Sequence, residues 1–118
     1  MIWNKNLEVL ENKKLAVDFD GTIVTDKFPE IGEPNMELVD WLKKCKEKGC
    51  RLVLWTCRNN TCKGYPGILD KAVEYCKNVL GLVFDSVNEN LPEVQQKWGG
   101  DTRKVMVDYY LDDKSVIV

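Results

Sequence analysis

The chain has 118 residues, enough for one domain built on one sheet covered by helices. Its 17 basic and 19 acidic residues leave a net charge of −2, with 44% hydrophobic and 31% charged content, so no general attraction to nucleic acid or an anionic membrane is expected. Histidine is absent, which excludes Ser-His-Asp and Cys-His catalysis, the His-Glu-x-x-His protease and histidine-ligated zinc together.

Chemistry must therefore run on carboxylates, lysine, hydroxyls, thiols or a metal. The five cysteines, Cys45, Cys50, Cys57, Cys62 and Cys76, are odd in number and contain no Cys-x-x-Cys pair, so reduced thiols are expected rather than a disulfide framework. No apolar run is long enough to cross a bilayer, and residues 1–14 are too polar for a secretory leader. A soluble, cytoplasmic protein of one domain, residues 1–118, is the expectation, and a homo-oligomer stays open.

Residues 1–14 alternate weakly, with Ile2, Trp3, Leu7, Val9 and Leu10 as apolar members, and fit an edge strand or a short helix equally well. Leu15-Ala16-Val17 then reads as a short buried strand, ending abruptly in Asp18-Phe19-Asp20-Gly21-Thr22. On an extended chain Asp18 and Asp20 would point the same way, an arrangement that repels unless a cation sits between the carboxylates. Gly21 permits a sharp turn, and Thr22 adds a hydroxyl. Pro29, Gly32 and Pro34 rule out a long helix in residues 23–35 and predict an irregular flap over the strand ends.

Asn35 is the expected N-cap of a helix reaching Lys48, because Leu38, Val39, Trp41, Leu42 and Cys45 recur at helical spacing. Lys43, Lys44, Lys46 and Lys48 fall on its other side, read as a solvated face rather than a nucleic-acid patch. Residues 51–55 form a near-continuous apolar run, as in a central parallel strand, ending at Thr56. A second helix is expected from Pro66-Gly67 to Gly81, with Leu69, Ala72, Val73, Cys76 and Leu80 as its apolar stripe. Residues 82–84 read as a short strand, and residues 85–100 as a loop that includes about one helical turn. Val105-Met106-Val107 and Tyr109-Tyr110-Leu111 follow, interrupted by Asp108, read as a paired structural carboxylate. The last run ends in Asp112-Asp113, repeating the opening pattern of apolar strand and then acids. Trp3, Trp41, Trp55 and Trp98 are read as core or flap residues.

Alternating strands and helices predict an α/β fold with a central, mainly parallel sheet. Ligands on such sheets bind outside the carboxyl ends of the strands, where the acidic pairs and Thr56 would meet.

Asp-Phe-Asp-Gly-Thr, a strand ending in Thr56, Lys104, and Asp112-Asp113 after a later strand resemble, in this order, the four motifs of the haloacid dehalogenase-like phosphohydrolase superfamily. The resemblance spans roughly residues 15–114 and is closest to small members without a globular cap, with residues 23–35 too short to hold one. It implies a three-layer Rossmann-like fold with helices on both faces of the sheet. It also implies a Mg²⁺-dependent phosphatase that hydrolyses a phosphate monoester through an aspartyl-phosphate.

By the same resemblance Asp18 is the nucleophile and Asp20 the general acid and base. Thr56 and Lys104 bind the phosphoryl oxygens, with Lys97 as the rival lysine. Asp18, the backbone carbonyl of Asp20, and Asp112 hold the metal, with Asp113 behind them, and Arg58 is a candidate contact to the substrate. The expected partner is a small-molecule phosphate ester, with no membrane and no clear nucleic-acid surface. Two other readings share these residues: a phospho-receiver signalling domain, disfavoured by motif order, and a catalytically idle scaffold that keeps the fold for binding.

Overall fold

Side-chain alternation along one short strand sets the layering. In the computed structural model, which describes residues 6–116, Lys14–Val17 forms β1. Leu15 and Val17 enter one apolar cluster and Ala16 enters another, because successive side chains of a strand point to opposite faces. The second strand, β2 (Arg51–Leu54), repeats the division, sending Leu52 and Leu54 to the first cluster and Val53 to the second. Both faces must therefore be covered.

Helices α1 (Met36–Glu47) and α2 (Ile68–Asn78) cover the first face through Leu38, Val39, Leu42, Cys45, Ala72 and Cys76. A third helix, α3 (Pro92–Trp98), covers the second through Val94, beside Leu91 and Val105. With β3 (Ser86–Val87) and β4 (Tyr109–Leu111), the strands form one parallel sheet in the order β3-β2-β1-β4. This is the expected three-layer α/β architecture. The chain winds outward from β1 to β3 and then returns across the opposite face to add β4 on the other side of β1. The carboxyl ends of β1 and β4 thus flank the point where the winding reverses.

Helix α1 begins as expected, with the Asn35 side chain accepting from the Leu38 N–H at 3.2 Å. Its late lysines are not merely solvated: Lys46 donates to the Val83 carbonyl and lies 3.6 Å from Asp85. Residues 6–13 are neither helix nor strand, while Ile2 and Trp3 lie outside the described residues. This segment packs on the core through Leu10, and its Glu8 carbonyl accepts from the Trp41 indole at 3.1 Å.

Two expectations on elements of the second half need correction. The strand expected at residues 82–84 lies instead at Ser86–Val87. Asp85 explains the shift, because its backbone N–H and its carboxylate bond both polar groups of Leu52, at 2.8 Å each, before ladder pairing begins. Residues 85–100 contain a full helix, with Pro92 in its first turn and Gly99 in the left-handed conformation at its end. Val105 is buried but not in a strand, and the Met106 N–H bonds the Asn90 side chain. Asp108 plays the structural part expected of it: its carboxylate accepts from the Lys14 N–H at 2.7 Å, and its own N–H donates to the Lys14 carbonyl. Trp98 also departs from expectation, being exposed under the Lys97 ammonium.

Asn90, only 2% exposed, ties this half together. Its amide donates to Asp101 at 2.7 Å and to Thr102 at 3.1 Å, and its carbonyl oxygen accepts from the Met106 N–H at 2.7 Å. Replacing it by alanine strands buried partners. Asn90→Ala is expected to lower unfolding free energy by about 2 to 3 kcal/mol in urea titrations, with the 101–106 segment losing amide protection first.

Candidate active site at the strand ends

The parallel ladder brings the acids together. The Asp18 N–H donates to the Leu111 carbonyl at 2.9 Å, continuing the pairing of Val17 with Leu111 and setting Asp18 beside Asp112. Asp18, Asp112 and Asp113 each present a carboxylate oxygen, and these oxygens all lie within 4.8 Å of one another. Burial pushes the Asp18 carboxyl up to about 7, opposed by the Phe19 backbone N–H and reinforced by the negative charges of Asp112 and Asp113. Three hard oxygen donors in mutual repulsion form a set that could hold a divalent cation.

Asp20 does not join this cluster. The strand stops at Val17, and the Phe19 carbonyl accepts from the N–H groups of Thr22, Ile23 and Val24, turning the chain sharply. Asp20 is thereby aimed at Arg58, whose Nε and Nη2 donate to its two oxygens at 2.8 Å each. The expectation that alternation would converge Asp18 and Asp20 fails because the backbone is no longer extended there. The share in a metal expected of Asp20 was through its backbone carbonyl, which the Arg58 pairing leaves unengaged. Asp113, expected behind the ligands or in exchange of roles with Asp112, stands among the clustered carboxylates.

Gly21 makes that position accessible. Its φ is +86°, and a Cβ there would collide with the Asp113 carboxylate. Thr22, buried, accepts from the Asp113 N–H at 3.2 Å, so both residues after Asp20 serve the acid arriving from β4.

Thr56 follows β2 at the same end. Its hydroxyl accepts from the Arg58 N–H at 3.1 Å, and its own N–H donates to the Asn88 side chain at 2.8 Å. The Asn88 amide donates in turn to the Arg58 carbonyl at 3.1 Å, bracing residues 56–58 against the end of β3. Asn88, left-handed at φ 54°, is a residue that motif reading missed. A single asparagine after a short strand carries no distinctive spacing.

Arg58, the candidate substrate contact, is turned inward. It is 1% exposed, paired with Asp20, and lies between the Phe19 and Phe28 rings at 5.0 and 5.4 Å. Lys104 extends over the Tyr110 ring at 5.5 Å rather than against a carboxylate. Lys97 lines a cavity of about 330 Å³ with Lys14 and Asp108, at the amino ends of β1 and β4, away from the acids. Among the described residues, the ammonium within ion-pair distance of the cluster is that of Lys114, largely exposed, 3.7 Å from Asp113 and held above its ordinary range first by Asp113. Cys57 is exposed and Cys62 half-buried, both as free thiols.

No family model matches the chain, and no curated protein does. A solved structure of a conserved protein from Bacteroides thetaiotaomicron is 38% identical, covers 90% of this chain and 79% of that one, and has a TM-score of 0.74. The chain belongs to the same family as that Bacteroides protein. The shared fold accounts for the parallel sheet and its flanking helices. Among the described residues no helix is long and apolar enough to cross a membrane.

The raised Asp18 carboxyl has a consequence for stability. The folded state holds its proton up to about pH 7, whereas the unfolded chain releases it near 3.8. This contribution is complete below the lower value and is lost as pH rises through the upper one. In chelator, the melting temperature should fall by a few degrees between pH 5 and pH 8, and Asp18→Asn should flatten that slope in calorimetry.

Proposed function

We propose that the chain is a Mg²⁺-dependent phosphomonoesterase acting through an aspartyl-phosphate on Asp18. The observation that carries this reading is the convergence of Asp18, Asp112 and Asp113 within 4.8 Å at the reversal point of the sheet. An all-carboxylate donor set without histidine or thiolate suits a hard cation, and Asp18, Asp112 and Asp113 would hold it. Bound there, Mg²⁺ supplies the positive charge that lets a carboxylate approach a phosphate dianion.

The remaining work falls to the chain. An Asp18 oxygen attacks phosphorus, and the bond to the ester oxygen breaks as Asp20 delivers a proton to the leaving alkoxide. Asp20 then takes a proton from water, whose oxygen attacks phosphorus and releases Asp18 and inorganic phosphate. Thr56 uses its hydroxyl lone pairs for the Arg58 N–H, so its O–H proton can be given to a phosphoryl oxygen. Lys114 takes the charge-neutralising part that motif order assigned to Lys104. Free thiols suit a cytoplasmic setting, and the short flap in place of a cap suits a small phosphate ester.

Purified protein should hydrolyse para-nitrophenyl phosphate with Mg²⁺ and stop in EDTA, and Asp18→Asn should lose about a thousandfold or more in kcat. Lys114→Ala should cost more activity than Lys104→Ala. Turnover unaffected by EDTA, or an active Asp18→Asn, would overturn the reading. Mg²⁺ at about 100 times its dissociation constant should add about 2.7 kcal/mol to stability, read as a raised melting temperature.

A further inference from the structure

Arg58 is buried to 1% exposure, yet it belongs to a loop with exposed neighbours on either side. Its guanidinium spends its donors on three separate segments. Two bonds of 2.8 Å go to the Asp20 carboxylate, one of 2.9 Å to the Glu30 carbonyl in the flap, and one of 3.4 Å to the Ile68 carbonyl in the first turn of α2. The Phe19 ring, beside Asp20, and the Phe28 ring, in the flap, lie on its faces. Phe28 further meets Tyr65 of the 57–67 loop edge-on, with ring centroids 5.7 Å apart.

A buried charge of this kind is retained only if its donors are satisfied and its geometry is rigid. The planar fork suits this, because fixing one edge on a carboxylate fixes where the other edge points. The position of Asp20 and the position of residues 28–30 are then no longer independent.

We propose that Arg58 is a positioning residue that locks the Asp20 carboxylate to the flap, so that Asp20 takes its working orientation only when the flap is seated on Arg58. The part assigned to Asp20 rests on the phosphatase reading above; the mechanical link between Asp20 and the flap does not. Lysine at position 58 keeps the charge but provides neither the bidentate pairing nor the simultaneous reach to Glu30.

Two measurements test the lock. The first compares kcat/KM for para-nitrophenyl phosphate, whose leaving group needs little protonation, with that for a simple alkyl phosphate, which needs an acid. Arg58→Lys should lose about tenfold more on the alkyl ester, whereas a merely destabilised enzyme loses equally on both. The second is hydrogen exchange at the flap amides of Thr25, Glu30 and Glu33, which are bonded to the Glu33 carbonyl, the Lys27 carbonyl and the Thr25 hydroxyl.

Exchange there should accelerate about tenfold in Arg58→Lys. It should also accelerate in Asp20→Asn, which alters no flap residue and serves if the Arg58 variant fails to fold. Equal losses on the two esters, or flap exchange unchanged in Asp20→Asn, would overturn the proposal. Wild-type protein with no turnover on either ester would sink the phosphatase reading and the orientation claim, and the exchange of Asp20→Asn would then decide the mechanical link alone.

Discussion

Repulsion among carboxylates is the constraint around which this molecule is arranged. Asp18, Asp112 and Asp113 are placed together by backbone pairing between two adjacent parallel strands, not by any attraction of their own. Hydrophobic burial on both faces of the sheet provides the force that keeps them there. Several details then follow from the need to accommodate them. A glycine stands where any side chain would displace Asp113, a buried threonine holds the Asp113 backbone, and Lys114 lies beside the cluster.

The fourth acid is treated differently, and the contrast is informative. Asp20 is two residues from Asp18, yet one tight turn separates their electrostatic environments. One carboxylate sits among others of the same sign, while its neighbour is neutralised by a buried guanidinium. A nucleophile must be ionised, so the part proposed for Asp18 calls for a cation beside its raised carboxyl.

Legibility differed sharply along the chain. The strand Leu15-Ala16-Val17, the Asn35 cap and the apolar stripe of α1 were readable because each depends on neighbours within a few residues. Helix α3 reads as a loop in the sequence although Pro92 and Gly99 are start and stop signals, because its few apolar residues mask the period. The strand at Ser86–Val87 was not readable, because Asp85 takes over the first pairing position through contacts with a strand more than thirty residues earlier. The inward turn of Arg58 and the place of Lys104 over Tyr110 were not readable for a related reason. Sequence order says which charged residues lie near a motif, and nothing about which of them is turned inward.

What the sequence alone determined is the set of chemical groups and the end of the sheet at which they gather. Apolar runs that stop abruptly at acids or hydroxyls encode that directly, through local propensity and burial. Which acids share one cage, which is matched to an arginine, and which lysine stands beside them were decided only by the tertiary structure. Those outcomes depend on a turn of a few residues after β1 and on the register between β1 and β4, and both are settled by packing between segments nearly a hundred residues apart.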